Sequence, residues 1–285
     1  MKHLVIGASG QVGSALSREF RRRGHQVVGT YKSHALPGLR PLDLHDRVAV
    51  ALAIKEENPD AIWIPAAMPD VDRCEKEPDL SHAVNVEGPF VVMEAASQRH
   101  IPLVYFSSDY VFDGTAGPYR ESDSVRPLQT YGRHKVEAET LLAQYDRTMI
   151  VRPAWIYSDE QNPRNFFFRV VSDLKAGQEV RAAVDQWNTP TPAGPLAVHA
   201  VDALMAGYKG ILHLSGPERM TRYDLVRRIA ELAGYPNAPI KEVRLSDLTL
   251  PAERPSRGGL ITDIPQFAIE EQLEDVDFRQ LLTGP

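Results

Sequence analysis

The sequence predicts a doubly wound parallel α/β sheet followed by a smaller C-terminal lobe, and three observations predict it. A short apolar run at the N-terminus stops at glycine and passes at once into a helical pattern. Four further strand-like runs then alternate with helical stretches up to about residue 157. That alternation implies right-handed crossovers, parallel strands and helices on both faces. Beyond residue 157 the rhythm breaks into segments such as NTPTPAGP and PSRGG.

In chain order, HLVI (3–6) is the first strand, and Val12, Ala15, Leu16 and Phe20 recur at helical spacing up to Gly24. HQVVGTY (25–31) reads as the second strand. Asp46 is placed to cap a helix over RVAVALAIKEEN, which Pro59 closes. AIWIP (61–65), IPLVYF (101–106) and TMIV (148–151) are β-rich, with helical patterns at 81–99 and 129–144. A last core strand is expected at GILHLSG (210–216). TRYDLVRRIAELAGY (221–235) is then a helix, with Thr221 and Asp224 as a capping box and Gly234 as its stop. The chain would thus return late to its sheet. Residues 1–157 plus about 187–216 form one domain, and about 158–186 with 217–285 form the lobe.

Composition narrows the function. The 285 residues are 43% hydrophobic and 25% charged, as in a globular protein. A net charge of −6 speaks against a nucleic-acid partner, which would need a basic stripe. The one compact basic run, Arg21-Arg22-Arg23, fits the C-terminal dipole of a helix ending at Gly24. Cys74 is the only cysteine, so no internal disulfide forms, and a reducing cytoplasm is expected. No apolar run approaches the ~20 residues of a membrane span, and the N-terminal run is too short for a signal peptide.

Gly7, Gly10 and Gly13 form G-x-x-G-x-x-G between the first strand and the first helix. There the chain must turn tightly, admit a pyrophosphate close to its backbone and aim helix N–H groups at it. This is a Rossmann-type dinucleotide site. An NAD site would carry an acid at the end of the second strand, but that region reads GTYKS. Tyr31 and Lys32 stand there instead, and Lys32 suits a 2′-phosphate. NADP(H) is therefore the preferred cofactor, with NAD(H) as the alternative. Asp43 and Leu44 in PLDL are further candidates on the adenine side.

In YGRHK (131–135), Tyr131 and Lys135 share one helix face. With ten tyrosines in the chain that pairing proves little alone. Ser108, in FSSDYVFDG after a strand, supplies a hydroxyl on the side where parallel sheets bind ligands. Together Ser108, Tyr131 and Lys135 resemble the Ser/Thr–Tyr–Lys set of the extended short-chain dehydrogenase/reductases. SSDYVFDG, RPAWIYS (152–158), NPRNFF (162–167), VDQWNTPT (184–191) and AERPS (252–256) further resemble the blocks of the dTDP-4-dehydrorhamnose reductase family.

The resemblance implies Tyr131 as proton donor to a sugar carbonyl, Lys135 as its tuner and Ser108 as a hydrogen-bond donor to the same carbonyl. It implies Gln11, Val12 and Gly13 on the pyrophosphate, Ala66 and Ala67 along the cofactor, and Asp109 and Trp155 on the sugar nucleotide. A lysine cation beside Tyr131, together with the positive ring of the oxidised cofactor, is expected to lower the phenol from its ordinary value near 10 by ~1–3 units. The chain departs from the family at Pro65-Ala66-Ala67, where relatives carry Asn-Ala-Ala, and at SRGG after the RP of its C-terminal block.

Rival classes read less well. A 4,6-dehydratase would carry Asp-Glu after Ser108, where this chain has Asp109-Tyr110. An epimerase is opposed only by the family blocks. A non-catalytic regulatory subunit, as in the methionine adenosyltransferase β-subunit of the same family, is opposed by the intact Ser108, Tyr131 and Lys135. No G-x-S-x-G elbow supports a hydrolase. Nine scattered histidines show no ligand spacing, so no metal site is read. Some relatives bind magnesium at a dimer interface; the sequence does not support Mg2+ here and leaves a homodimer open. Asn85 matches a helix asparagine of the superfamily, Trp187 reads as packing, and Cys74 as inert.

Overall fold

A computed structural model describes residues 1–160 and 165–275. Six strands of its main sheet are β1 (Lys2–Ile6), β2 (Gln26–Tyr31), β3 (Arg40–Pro41), β4 (Ala61–Ile64), β5 (Leu103–Phe106) and β6 (Thr148–Arg152). The seventh is Gly210–His213, so the chain does return to the sheet where the sequence placed a last core strand. From edge to edge the order is Gly210–His213, β6, β5, β4, β1, β2, β3, and every pairing is parallel. The order reverses at β1, which lies between β2 and β4. Such a reversal opens a crevice at the carboxyl ends of the strands.

The helices are α1 (Gln11–Arg22), α2 (Arg47–Glu57), α3 (Val71–Lys76), α4 (Pro78–His82), α5 (Gly88–Ser97), α6 (Thr130–Leu142), α7 (Phe166–Lys175), α8 (Ala193–Met205) and α9 (Arg222–Leu232). The alternation of strand side chains assigns them to faces. Val5, Trp63, Val104, Phe106, Met149 and Val151 pack against α1 and α8. Leu4, Ile6, Ile62, Ile64, Leu103, Tyr105 and Ile150 point the other way, to α2, α5 and α6. Both faces are therefore buried, which is why the strands read as unbroken apolar runs. Each fully buried aliphatic side chain contributes about 1.5–3 kcal/mol.

The predicted caps are present. Asp46 accepts from the Ala49 N–H, and Thr221 and Asp224 form the reciprocal box at α9. Arg22 and Arg23 do more than meet a helix dipole: both pair with Glu19, and Arg23 also reaches Asp202, tying α1 to α8.

Three expectations are corrected. The stretch 81–99 is no single helix, because Ala83–Glu87 forms one π-helical turn between α4 and α5. Pro89 in the first turn of α5 has no N–H to give the carbonyl of Asn85, four residues back, so the regular ladder fails there. The segment NTPTPAGP is not all loop, since α8 begins at Ala193 and packs its alanines on the sheet. The irregular C-terminal region also holds α7 and a parallel pair, Val180–Ala183 with Ile240–Val243. These build the core of the smaller lobe with α9, around Tyr157, Phe167, Val170, Leu225 and Ile229. Residues 162–164 of the NPRNFF block, and 276–285 of the lobe, lie outside the described residues. Among the described residues no helix is long and apolar enough to cross a membrane.

Candidate active site

The glycine loop joins β1 to α1 on the crevice side. Gly7 has φ +91°, and a Cβ there would stand 2.8 Å from Ala66 Cα. A Cβ on Gly13 would lie 2.3 Å from the Gly7 carbonyl oxygen. These two glycines let the loop fold back on itself and let Ala66 cover it, with Ala67 following. Gly10 differs: a Cβ there meets only Gly7 O, at 3.5 Å, so its bareness leaves the approach to the helix open. It is also the N-cap of α1 and supplies no side-chain acceptor, which leaves the N–H groups of Gln11, Val12 and Gly13 for an incoming anion. Gln11 donates from Nε2 to Ser158 Oγ at 3.0 Å, linking the loop to the chain entering the lobe. Thr30 Oγ1 and Ser107 Oγ, at the carboxyl ends of β2 and β5, are buried without a partner. Uncapped donors, a bare approach and two orphaned hydroxyls fit a dinucleotide.

Just past the carboxyl end of β2, Lys32 Nζ lies 3.0 Å from Asp43 Oδ1 and 3.3 Å from His45 Nδ1. The acid missing from the end of β2 is thus delivered by the loop after β3. Burial pushes the Asp43 carboxyl up, but the His45 N–H and Lys32 outweigh it and hold it below the usual range. Tyr31 ends β2 half-buried, while Leu44 packs where a Cβ on Gly88 would sit, 2.8 Å away.

The structure brings Ser108, Tyr131 and Lys135 together. Ser108 caps the short 3-10 turn Asp109–Val111 that follows β5, accepting from the Tyr110 N–H at 3.2 Å and donating to Asp109 Oδ1 at 3.1 Å. α6 starts where the Thr130 N–H donates to Glu75 Oε2 at 2.9 Å. Gly132 inside YGRHK is required by packing, since a Cβ would fall 2.1 Å from the Tyr110 carbonyl oxygen. The glycine lets α6 press Tyr131 against the Ser108 turn. Farther from that turn, the bidentate pair of Arg152 with Glu139, at 2.9 and 2.5 Å, pins α6 to β6.

Lys135 is completely buried. Its Nζ donates to Tyr105 Oη and to the Phe106 carbonyl, each at 2.9 Å, and lies 5.7 Å from the Tyr131 ring centroid. Tyr105 Oη in turn donates to the Asn85 carbonyl at 3.3 Å, the group that Pro89 leaves without its helical partner. The Asn85 side chain holds Met68 N and O and Ser81 Oγ. Tyr105 was not singled out from the sequence, because a tyrosine in an apolar strand reads as packing.

Burial pushes Lys135 down to about 7, against the pull of Glu139. Burial raises the Tyr131 phenol well above 10, Cys74 and Asp109 add to this, and Ser108 pulls it back. Lys135 bonds to Tyr105 and Phe106 rather than to the phenol oxygen, and these neutral acceptors leave its charge intact. Cys74 is buried beneath Tyr131 with its thiol raised by burial, in keeping with an inert reading.

Asp109 is buried, pushed up to about 6 by burial, and bonded to Asn188 Nδ2 at 2.7 Å. Trp155 has φ +36°, rare for a bulky residue, and its ring lies under the Arg222 guanidinium at 3.5 Å. Arg222 was missed as well, since only the folded chain shows which arginines lack a carboxylate. Among the described residues no three His, Cys, Asp or Glu side chains gather as a metal site.

A dinucleotide cradle at the reversal of a parallel sheet, with serine, tyrosine and lysine at its edge, defines an extended short-chain dehydrogenase/reductase. More narrowly, the chain belongs to the dTDP-4-dehydrorhamnose reductase family: residues 1–279 match the family model of the RmlD substrate binding domain. It is 35% identical to the probable low-salt glycan biosynthesis reductase Agl14 of Haloferax volcanii, covering 91% of this chain and 89% of that one. It is 30% identical to methionine adenosyltransferase 2 subunit beta of Xenopus tropicalis, over 84% of this chain and 74% of that one. Its fold superposes with a TM-score of 0.86 on dTDP-4-dehydrorhamnose reductase from Bacillus anthracis in complex with NADP. That chain is 24% identical, with 99% and 96% of the two chains covered.

Proposed function

We propose that the chain is an NADP(H)-dependent reductase of a nucleotide-linked 4-keto-6-deoxy sugar, with dTDP-4-dehydrorhamnose as the first substrate to test. The observation that carries this reading is the meeting of Ser108, Tyr131 and Lys135 at the carboxyl end of β5, beside the glycine cradle. Residues 1–157 with about 187–216 hold the cofactor, and about 158–186 with 217–285 close over the sugar nucleotide. Gly7, Gly10, Gln11, Val12 and Gly13 seat the pyrophosphate, Ala66 and Ala67 flank the dinucleotide, and Tyr31, Asp43 and Leu44 border its adenosine. Lys32, released from Asp43, meets a 2′-phosphate, so NADPH is used in preference to NADH.

Reduction of a ketone needs a hydride on carbon and a proton on oxygen. A bound nicotinamide supplies the hydride. Tyr131 supplies the proton: its raised phenol enters the reaction protonated and releases the proton only as charge builds on the substrate oxygen. The Ser108 hydroxyl turns from Asp109 to the same oxygen and adds a donor where negative charge grows. The Lys135 ammonium then stabilises the tyrosinate left behind. Asp109 and Trp155 line the sugar-nucleotide side.

The test follows NADPH consumption with dTDP-4-dehydrorhamnose, with NADH in parallel and Tyr131→Phe beside the native chain. Turnover that drops by at least ~10² in the variant, with cofactor affinity kept, supports the assignment. Cofactor binding without turnover of this or any other keto-sugar nucleotide refutes it. The similarity to methionine adenosyltransferase 2 subunit beta would then direct the search to a regulatory role.

A further inference from the structure

α9 opens with a cation that pairs with no carboxylate among the described residues. Arg222 lies flat against two aromatic rings, with its guanidinium carbon 3.5 Å from the Trp155 centroid and 4.3 Å from that of Phe166. Among the described residues its side chain makes no hydrogen bond and no ion pair. The acids within reach are already engaged. Asp109 accepts from Asn188 and Ser108, and Asp72 is held by Arg254 at 2.8 Å. Arg169 adds a second cation with no carboxylate, 6.0 Å from the same Phe166 ring. Burial pushes Arg222 down to about 10, Tyr110 and Asp109 oppose that, and Arg169 and Arg254 add to it.

Two further features point at this spot. Trp155 Nε1–H is buried without an acceptor. The Trp155 backbone also holds the left-handed φ of +36°, a conformation that costs a bulky residue of order 1–3 kcal/mol. The Arg222 side chain is only half-buried, so part of it stays open to an incoming anion. Strain, an orphaned donor and an unpaired guanidinium in one place are the marks of a site completed by a ligand. The guanidinium is planar, stacked and fixed, with its N–H edge free to take two oxygens of a phosphate side by side.

We propose that Arg222, held against Trp155 and Phe166 and reinforced by Arg169, seats the diphosphate of a nucleoside-diphosphate-linked substrate. The inference rests on the sugar-nucleotide reading above and assigns that substrate's anionic centre to residues outside the Ser108–Tyr131–Lys135 set. A free sugar or a nucleoside lacking phosphate would bind without this contact.

The experiment titrates the full chain with thymidine diphosphate and with thymidine by calorimetry, NADP+ being present in excess so that phosphate binding at the glycine loop is blocked. Thymidine diphosphate is expected to bind at least ~10-fold more tightly than thymidine, a difference of about 1.4 kcal/mol. Arg222→Met should erase that margin while leaving thymidine and NADP+ affinities in place, which also reports that the variant is folded. Arg222→Lys should keep part of the margin, because it restores charge without the planar fork. Equal affinities for the two probes, no binding of either, or an Arg222→Met chain that binds the diphosphate like the native one overturns the proposal. Arg222-dependent binding of the diphosphate without turnover of any keto-sugar would sink the reductase reading alone, and turnover without Arg222 dependence would sink only this subsite.

Discussion

Tyr105→Phe removes one oxygen atom and tests how Lys135 is held. The ring stays in the core, so packing is conserved. What is lost is the acceptor 2.9 Å from Lys135 Nζ and the donor 3.3 Å from the Asn85 carbonyl. A hydrogen bond to a charged group contributes about 1.5–3 kcal/mol. Because the Tyr105 oxygen favours the ammonium over the amine, losing it should lower the Lys135 pKa from about 7 by a further ~1–2 units. Lys135 would then lose its charge at lower pH, and with it the support for the tyrosinate of Tyr131. The assay is the rate of keto-sugar reduction from pH 5 to 9 in both chains. The expected result is an alkaline limb displaced toward acid in Tyr105→Phe, with rates approaching the native ones at the lowest pH. A purely structural role for Tyr105 would depress the rate equally at every pH, and an unmoved limb would refute the reasoning.

Three further outcomes concern stability. His3 is fully buried, its Nδ1 accepting from Trp63 Nε1–H at 3.2 Å and its Nε2 lying 3.0 Å from His25 Nδ1, and burial pushes it down to about 4 from 6.5. The unfolded chain binds the proton first, so this group's contribution is whole above pH 6.5 and is lost as pH falls toward 4, by at most about 3 kcal/mol; urea unfolding of His3→Asn should show a shallower loss between pH 7 and 4.5. Glu139→Gln should lower the urea-derived stability by about 3–5 kcal/mol, because it strands the buried Arg152, whereas Lys135→Met should be at least as stable as the native chain below pH 7, where the buried ammonium is fully charged, while turnover disappears.

How much of this was readable beforehand depends on the range of the interaction. Gly7, Gly10 and Gly13 act within one loop, and Asp46 and Thr221 cap helices three residues away, so local sequence was enough for each. The strands were legible because burial on both faces leaves few polar residues in β1, β4, β5 and β6. α8 was hidden by the prolines before it and by an alanine-rich face that gives little contrast. The partner of Lys32 was hidden because β3 spans only Arg40–Pro41, too short to register, yet it turns Asp43 back toward the end of β2. The surroundings of Tyr131 were hidden for another reason. Its i, i+4 spacing from Lys135 is a fact of one helix, but where the ammonium points is decided by Tyr105 on a strand and by Asn85 beneath α5.

Three cations, two of them buried and Arg222 half-buried, show how differently this chain treats charge. Arg152 has a bidentate carboxylate, and its only task is to fasten α6 to β6. Lys135, near the middle of that helix, bonds only to neutral oxygens, which satisfy its donors without cancelling its charge. Arg222 has aromatic faces and, among the described residues, no oxygen bonded to its side chain. If burial alone governed these positions, all three would carry carboxylates or be replaced by apolar side chains, since an uncompensated buried charge costs several kcal/mol. Compensation instead declines from the pair that holds the helix, through the lysine beside Tyr131, to the arginine at the mouth of the lobe. A cation left without its counter-charge keeps its field for something else: at Lys135 the tyrosinate that forms during proton transfer, and at Arg222 an anion that arrives with the substrate. The arrangement of Pro89, Asn85 and Tyr105 belongs to the same logic, because a carboxylate bonded directly to Lys135 would hold the ammonium equally well and would remove the field that Tyr131 requires.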